Sequence, residues 1–108
     1  MSINFTDRVR RGIARLEEYE PGSTNRIDLG AVDTYSLGRC PLAQAIGGGE
    51  FGRGRQRLGI PWDDDVCGEL GFALMDSEAD RAEWQELYAQ LDAAWRTELA
   101  AFRAATPA

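Results

Sequence analysis

The chain has 108 residues, 44% of them apolar, with twelve arginines against eighteen carboxylates, a net charge of −6, and neither histidine nor lysine. That length is one small domain, and the apolar share is too high for a disordered chain. The missing residue types exclude histidine acid–base and metal chemistry, Schiff-base formation on lysine, and a phosphate-binding loop of the P-loop kind.

Residues 6–19 read as a helix, with Thr6 or Asp7 as its cap and Val9, Ile13 and Leu16 on one face. Glu20-Pro21-Gly22 ends it, since proline breaks the ladder and glycine takes the turn. Residues 21–39 read as an extended connector in which Asp33 to Gly38 is a turn. Arg26-Ile27-Asp28-Leu29 has the character of a short strand, but no second strand is in sight to pair with it. Cys40-Pro41-Leu42-Ala43-Gln44-Ala45-Ile46 starts another helix with proline at its first position. Gly47, Gly48 and Gly49 form a hinge, and a short helix from Glu50 to Leu58 stops at Gly59. Pro61-Trp62-Asp63 turns into a helix near Asp64 to Leu70, which Gly71 ends.

The last element is the most regular. Ser77 and Asp80 resemble a capping box, and Trp84, Leu87, Tyr88, Leu91, Trp95, Leu99 and Phe102 recur at steps of three and four. The spacing predicts one helix over 77–105, about 40 Å long. A chain of this size has a radius of gyration of only about 13 Å. The distal turns with Leu99 and Phe102 are therefore expected to overrun the core and need a partner. The fold expected is all-α, a single helical domain organised by the long C-terminal helix. Phe51, Phe72, Tyr35, Tyr88, Trp84 and Trp95 are assigned mainly to its core.

Several features bear on chemistry. Gly47-Gly48-Gly49-Glu50-Phe51-Gly52 matches G-x-G-x-x-G, but it follows a helix rather than a strand, which favours a hinge over a dinucleotide site. Asp63-Asp64-Asp65 lacks the spacing of a calcium loop, and helix capping accounts for it. Cys40 lies beside Arg39 at a helix start, a setting that lowers a thiol pKa. No histidine is available to serve as its base, so a buried structural thiol is the simpler reading. No cofactor and no metal is expected. With no catalytic signature in the set, the chain reads as a non-enzyme.

Arg53, Arg55 and Arg57 alternate behind the glycines. Pairing with Asp63–Asp65 is the simpler account of them, and a patch for an anion or a partner is the functional one. A lid over a small helical core is the simpler account of Trp62, carried on a turn, and an interface anchor is the functional one. The predicted partner-binding residues are Arg53, Arg55, Arg57, Trp62, Leu99 and Phe102. The exclusive use of arginine fits coding from a GC-rich genome, which needs no physical reason.

Charge is unevenly spread. Residues 1–57 carry +2 and residues 58–108 carry −8. An acidic chain is repelled by phosphate backbones, which disfavours nucleic acid as a partner. The alternative is binding through the basic half, or mimicry of DNA by the acidic one, where Asp63–Asp65, Glu69, Asp76, Glu78, Asp80, Glu83 and Glu86 cluster. No apolar run approaches the ~18 residues of a membrane span, and the first residues form no signal stretch, so a cytoplasmic protein is expected.

Cys40-x-Leu42-x-Gln44, the glycine turn, Leu58-Gly59-Ile60, Leu70-Gly71-Phe72 and Tyr88-x-x-Leu91-x-x-Ala94-Trp95-Arg96-x-Glu98-Leu99 together resemble small proteins of actinobacteria and their phages, over most of residues 5–103. The resemblance implies a GC-rich host or its phage and no particular activity. The function expected is a protein–protein interaction module, phage-encoded or regulatory, that modulates a cellular partner or self-associates through the C-terminal helix.

Overall fold

Asn4 opens the first helix. In the computed structural model, which describes residues 3–79 and 82–105, the Asn4 side chain accepts from Asp7 N at 3.2 Å, and α1 runs Phe5–Tyr19. The cap thus precedes the expected Thr6 or Asp7, and Asp7 lies in the first turn, where the helix dipole favours a carboxylate. Phe5, Val9, Ile13 and Leu16 are buried along one face, as their steps of three and four require.

The connector that follows is not extended. Two 3-10 turns, Ser23–Arg26 and Leu29–Ala31, replace the expected strand. A strand edge without a partner leaves its polar groups unpaired; here Ile27 N donates to Thr24 O at 3.2 Å and Asp28 N to the Gln44 side chain at 2.7 Å. The Glu17 carboxylate accepts from Gly22 N at 3.0 Å, Thr24 N at 3.1 Å and Thr24 Oγ1 at 2.8 Å.

The remaining helices are α2 (Pro41–Ile46), α3 (Phe51–Leu58), α4 (Asp64–Glu69), α5 (Asp76–Ala79) and α6 (Trp84–Ala105). Cys40 caps α2 through Sγ, which accepts from Ala43 N, with Pro41 at the first position. Asp63 caps α4 by accepting from Asp65 N at 2.9 Å. The protein is all-α, with no strand among the described residues.

The predicted continuous helix over 77–105 is broken. Ala82 and Glu83 form a turn between α5 and α6, and Asp80, the second half of the expected capping box, lies outside the described residues. Two tertiary demands divide the segment. Glu78 is drawn to α1, where Arg8 grips both carboxylate oxygens at 2.9 and 2.8 Å, and it also accepts from Met75 N at 2.9 Å. Trp84 packs on Tyr35 and Tyr88, with ring centroids 5.0 and 6.0 Å away.

What remains of the C-terminal helix, 22 residues and about 33 Å, does not overrun the core. Leu99 is fully buried, and Phe102 is half-buried against the core. The connector covers the distal turns: Arg103 Nη2 donates to Thr24 O at 2.9 Å and Ile27 O at 2.6 Å. Arg96 donates to Leu29 O at 3.1 Å and Val32 O at 3.0 Å.

α1 packs along α6, and α2 and α3 pack on each other beside the connector. At the centre, fully buried Trp95 stacks on Phe72 with centroids 5.9 Å apart and donates Nε1–H to Gly71 O at 2.7 Å. Backbone approaches closely here: a Cβ on Gly12 would lie 2.1 Å from Leu70 O, so only glycine fits. The radius of gyration is 12.7 Å, as expected for this length. No helix among the described residues is long and apolar enough to cross a membrane.

Arginine has a structural use that composition concealed. Arg11, Arg15, Arg26, Arg55, Arg57, Arg96 and Arg103 each donate to a main-chain carbonyl. Arg26, Arg57, Arg15 and Arg11 reach Ala45 O, Ile46 O, Leu58 O and Glu69 O, the last carbonyls of α2, α3 and α4. Those carbonyls have no intrahelical donor, and a cation there also meets the negative end of the helix dipole.

Candidate interaction surface

Residues 33–39 form a loop stapled to itself. Tyr35 N donates to Asp33 Oδ1 at 3.1 Å, and Gly38 N and Arg39 N donate to Ser36 Oγ at 3.3 and 3.2 Å. Asp33 N meets Arg39 O at 3.3 Å, and the Arg39 guanidinium meets the Asp33 carboxylate at 3.2 Å. Asp92 of α6 holds the loop's base through Thr34. The loop presents Leu37, 71% exposed, and Tyr35, 62% exposed. A core place was expected for Tyr35. Instead it lies on the outside of the Trp84–Tyr88 pair, 5.3 Å from the Tyr88 ring centroid, because the staples hold its backbone at the surface.

Beside Leu37 stands the start of α3. Positive φ at Gly48 (59°) and Gly49 (92°) reverses the chain after α2. Phe51 N then donates to Leu37 O at 2.8 Å, so the loop and the helix share a main-chain bond. Leu37, Phe51 and Arg53 line one shallow depression with Gly38, Gly49 and Gly52. The G-x-G-x-x-G stretch is thus a helix–turn–helix hinge.

Trp62 completes the surface. It is 72% exposed, 5.9 Å from the half-buried Phe51 ring, with the Arg55 guanidinium 4.3 Å from its centroid. Arg55 also donates to Ile60 O, the carbonyl before Pro61. A cation on an exposed indole face contributes about 0.5–1 kcal/mol, which favours this outward placement of the tryptophan. Leu37, Phe51 and Trp62 form an apolar surface on two pinned segments.

The other predicted residues fall differently. Arg53, Arg55 and Arg57 lie on helix α3, not on a loop, and their charges do not form a free row. Arg53 pairs with Glu50 at 2.8 Å, while Arg55 and Arg57 bond to Ile60 O and Ile46 O. The simpler reading expected pairs with Asp63–Asp65; among the described residues no ion pair joins them to Asp63 or Asp65, and the Asp64 side chain lies outside the described ones. Asp63 points to its own helix as a cap. Leu99 is in the core and is withdrawn from any surface. Phe102 lines a groove between α1 and α6 with Ile13, Ala14 and Ala101, across which Arg10 pairs with Glu98 at 2.6 Å. Trp62 and the α3 arginines are together; Leu99 and Phe102 belong to the α1–α6 seam.

Leu37 and Tyr35 were missed. The signal for them was present: Asp33, Ser36 and Gly38 are turn formers that bond their own backbone, which marks a loop able to hold apolar residues outward.

Cys40 is not poised to react. Burial pushes its thiol up to about 11, and hydrogen bonds from Ala43, Leu42 and its own N–H only partly oppose this. Glu78, counted with the acidic cluster, is buried on Arg8 and leaves that surface. No metal-holding group of carboxylates and cysteines occurs among the described residues. No protein-family model, curated protein or solved structure matches this chain.

Proposed function

We propose that this chain is a non-enzymatic protein–protein interaction module of the cytoplasm, phage-encoded or regulatory, that acts on a cellular partner through the Leu37–Phe51–Trp62 surface. The observation that carries the reading is the pinned exposure of Leu37 and Trp62. Side chains of this size lose about 1.5–3 kcal/mol each by remaining in water rather than buried. Here the loop staples, the Leu37–Phe51 main-chain bond and the Arg55–Trp62 stack keep them outward. A surface already in its bound shape loses little entropy on docking, and a tryptophan beside arginine is the composition of interface centres.

The same contacts disfavour nucleic acid. Two of the three α3 arginines are bonded to main-chain oxygens, and the third to a carboxylate. The test is capture from a host lysate with tagged wild type and with Trp62→Ala, at low and moderate salt, read by mass spectrometry. One dominant protein that survives the higher salt and disappears with Trp62→Ala is the expected result. Nucleic acid that vanishes with salt, or a protein captured equally by both forms, would sink the reading.

A further inference from the structure

The seam between α1 and α6 changes character along its length. Arg10, Ile13 and Ala14 of α1 and Glu98, Ala101 and Phe102 of α6 line a groove of about 350 Å³. Beyond the Arg10–Glu98 pair its walls are apolar, and alanine at 14 and 101 leaves the space unfilled. On the other side of that pair, a second depression of about 300 Å³ carries Asn4, Thr6, Gln90 and Thr97. Glu98 borders both, so the seam has an apolar end and a polar end, divided by an ion pair.

The two members of that pair are unequally placed. The Glu98 side chain is 13% exposed and the Arg10 side chain 66%. Glu98 takes only Nε of Arg10, at 2.6 Å. Among the described residues, Nη1 and Nη2 of Arg10 donate to nothing. The carboxylate therefore holds the guanidinium from one side and leaves its outer fork unspent.

We propose that this groove binds a small anionic amphiphile, a free carboxylic acid with an unbranched alkyl chain. Its volume falls within the roughly 300–1,000 Å³ of small-molecule sites, which are mostly apolar with a few placed polar groups. The one-sided apolar wall calls for a ligand with a tail and a head: the tail lies along Ile13, Ala14, Ala101 and Phe102, and the head meets Arg10 at the polar end. The free Nη pair matches the two oxygens of a carboxylate. A cationic head would find only Glu98, whose charge Arg10 already offsets. The groove shares no residue with the Leu37–Phe51–Trp62 surface, so the site goes beyond the interaction module and is tested apart from it.

The experiment is an amide NMR titration of the full chain with sodium decanoate, from about ten micromolar to about five millimolar. Saturable shifts are expected at residues 10–14 and 98–102. Octanoate should bind roughly tenfold more weakly, because two buried methylenes are lost. Arg10→Gln should weaken decanoate about fivefold. Ala101→Leu fills the groove with a good helix former and should abolish binding, with circular dichroism confirming the fold of both variants. Decylammonium should bind less tightly than decanoate.

Absence of saturation with decanoate overturns the proposal. So does decylammonium binding as tightly as decanoate, or decanoate affinity unchanged in both Arg10→Gln and Ala101→Leu. Shifts that gather at Leu37, Phe51 and Trp62 instead would place the acid on the other apolar surface and would equally overturn it.

Discussion

One carboxylate oxygen of Asp92 holds both polar groups of Thr34: Oδ1 accepts from Thr34 N at 2.8 Å and from Thr34 Oγ1 at 2.6 Å. Thr34 is buried, and Asp92 lies 58 residues further along the chain, on α6. This pair fastens the loop that displays Tyr35 and Leu37 to the helix that organises the core. Asp92→Ala leaves two buried donors unpaired and is expected to cost about 2 kcal/mol, against about 1 kcal/mol for Thr34→Val, which loses only the hydroxyl bond. Urea denaturation measures both. Amide exchange should quicken across residues 33–39 in Asp92→Ala before it does in α1; uniform quickening would mean the pair acts on global stability alone.

Arginine at 96 is expected to resist replacement by lysine. A guanidinium holds two carbonyls from two nitrogens in one plane, as Arg96 does with Leu29 O through Nε and Val32 O through Nη2, whereas an ammonium lacks the fork. Arg96→Lys should lower the urea stability by about 1–2 kcal/mol. Arg103 reaches Thr24 O and Ile27 O from Nη2 alone, a pair of bonds that one ammonium can also donate, so Arg103→Lys should cost less than Arg96→Lys. Arg10→Lys, at an exposed ion pair with Glu98, should leave stability unchanged within error. Equal effects at Arg10 and Arg96 would refute the structural use of the fork.

Cys40 should be silent towards iodoacetamide at pH 8 in the native state. Burial raises its thiol to about 11, and Cys67 is buried as well. Both should label once the chain is unfolded in denaturant. Native labelling of Cys40 well below pH 8 would reveal a reactive thiolate and reopen the enzymatic reading.

Glu17 ties stability to acid. Burial alone would raise its carboxyl, but hydrogen bonds from Gly22 N, Thr24 Oγ1 and Thr24 N outweigh that and hold it below its ordinary value. A depressed native pKa adds stability that is complete above the unfolded value and is lost as pH falls through the native one. Acid titration of the melting temperature should therefore drop through and below the ordinary glutamate range, and less steeply in Glu17→Gln. Parallel curves for the two proteins would remove Glu17 from that slope.

Local signals in the chain located most of the helices. Pro41 and Gly59 bound α2 and α3 because one lacks an N–H and the other tolerates a left-handed turn, and neither effect depends on distant residues. Val9, Ile13 and Leu16 mark the inner face of α1 by spacing alone. The start of the C-terminal helix was misplaced, since the capping-box resemblance at Ser77 and Asp80 set it seven residues ahead of Trp84, where the apolar period and α6 both begin. The site was half legible. Trp62 stood out as an aromatic on a turn, whereas Leu37 gained meaning only when Phe51 N reached its carbonyl.

By itself the sequence determined an all-α chain, with the ends of α2 and α3, the buried face of α1 and a chemistry without histidine or lysine. Propensity, capping and periodicity act within a few residues and are written in the residues themselves. The tertiary structure decided where the polar connector goes, what the arginines bond, and which apolar side chains remain outside. Those outcomes depend on carbonyls and rings brought together from separate segments: Arg103 to Thr24 across 79 positions, Asp92 to Thr34 across 58. No local preference specifies such a pairing, because its energy exists only once the helices have packed.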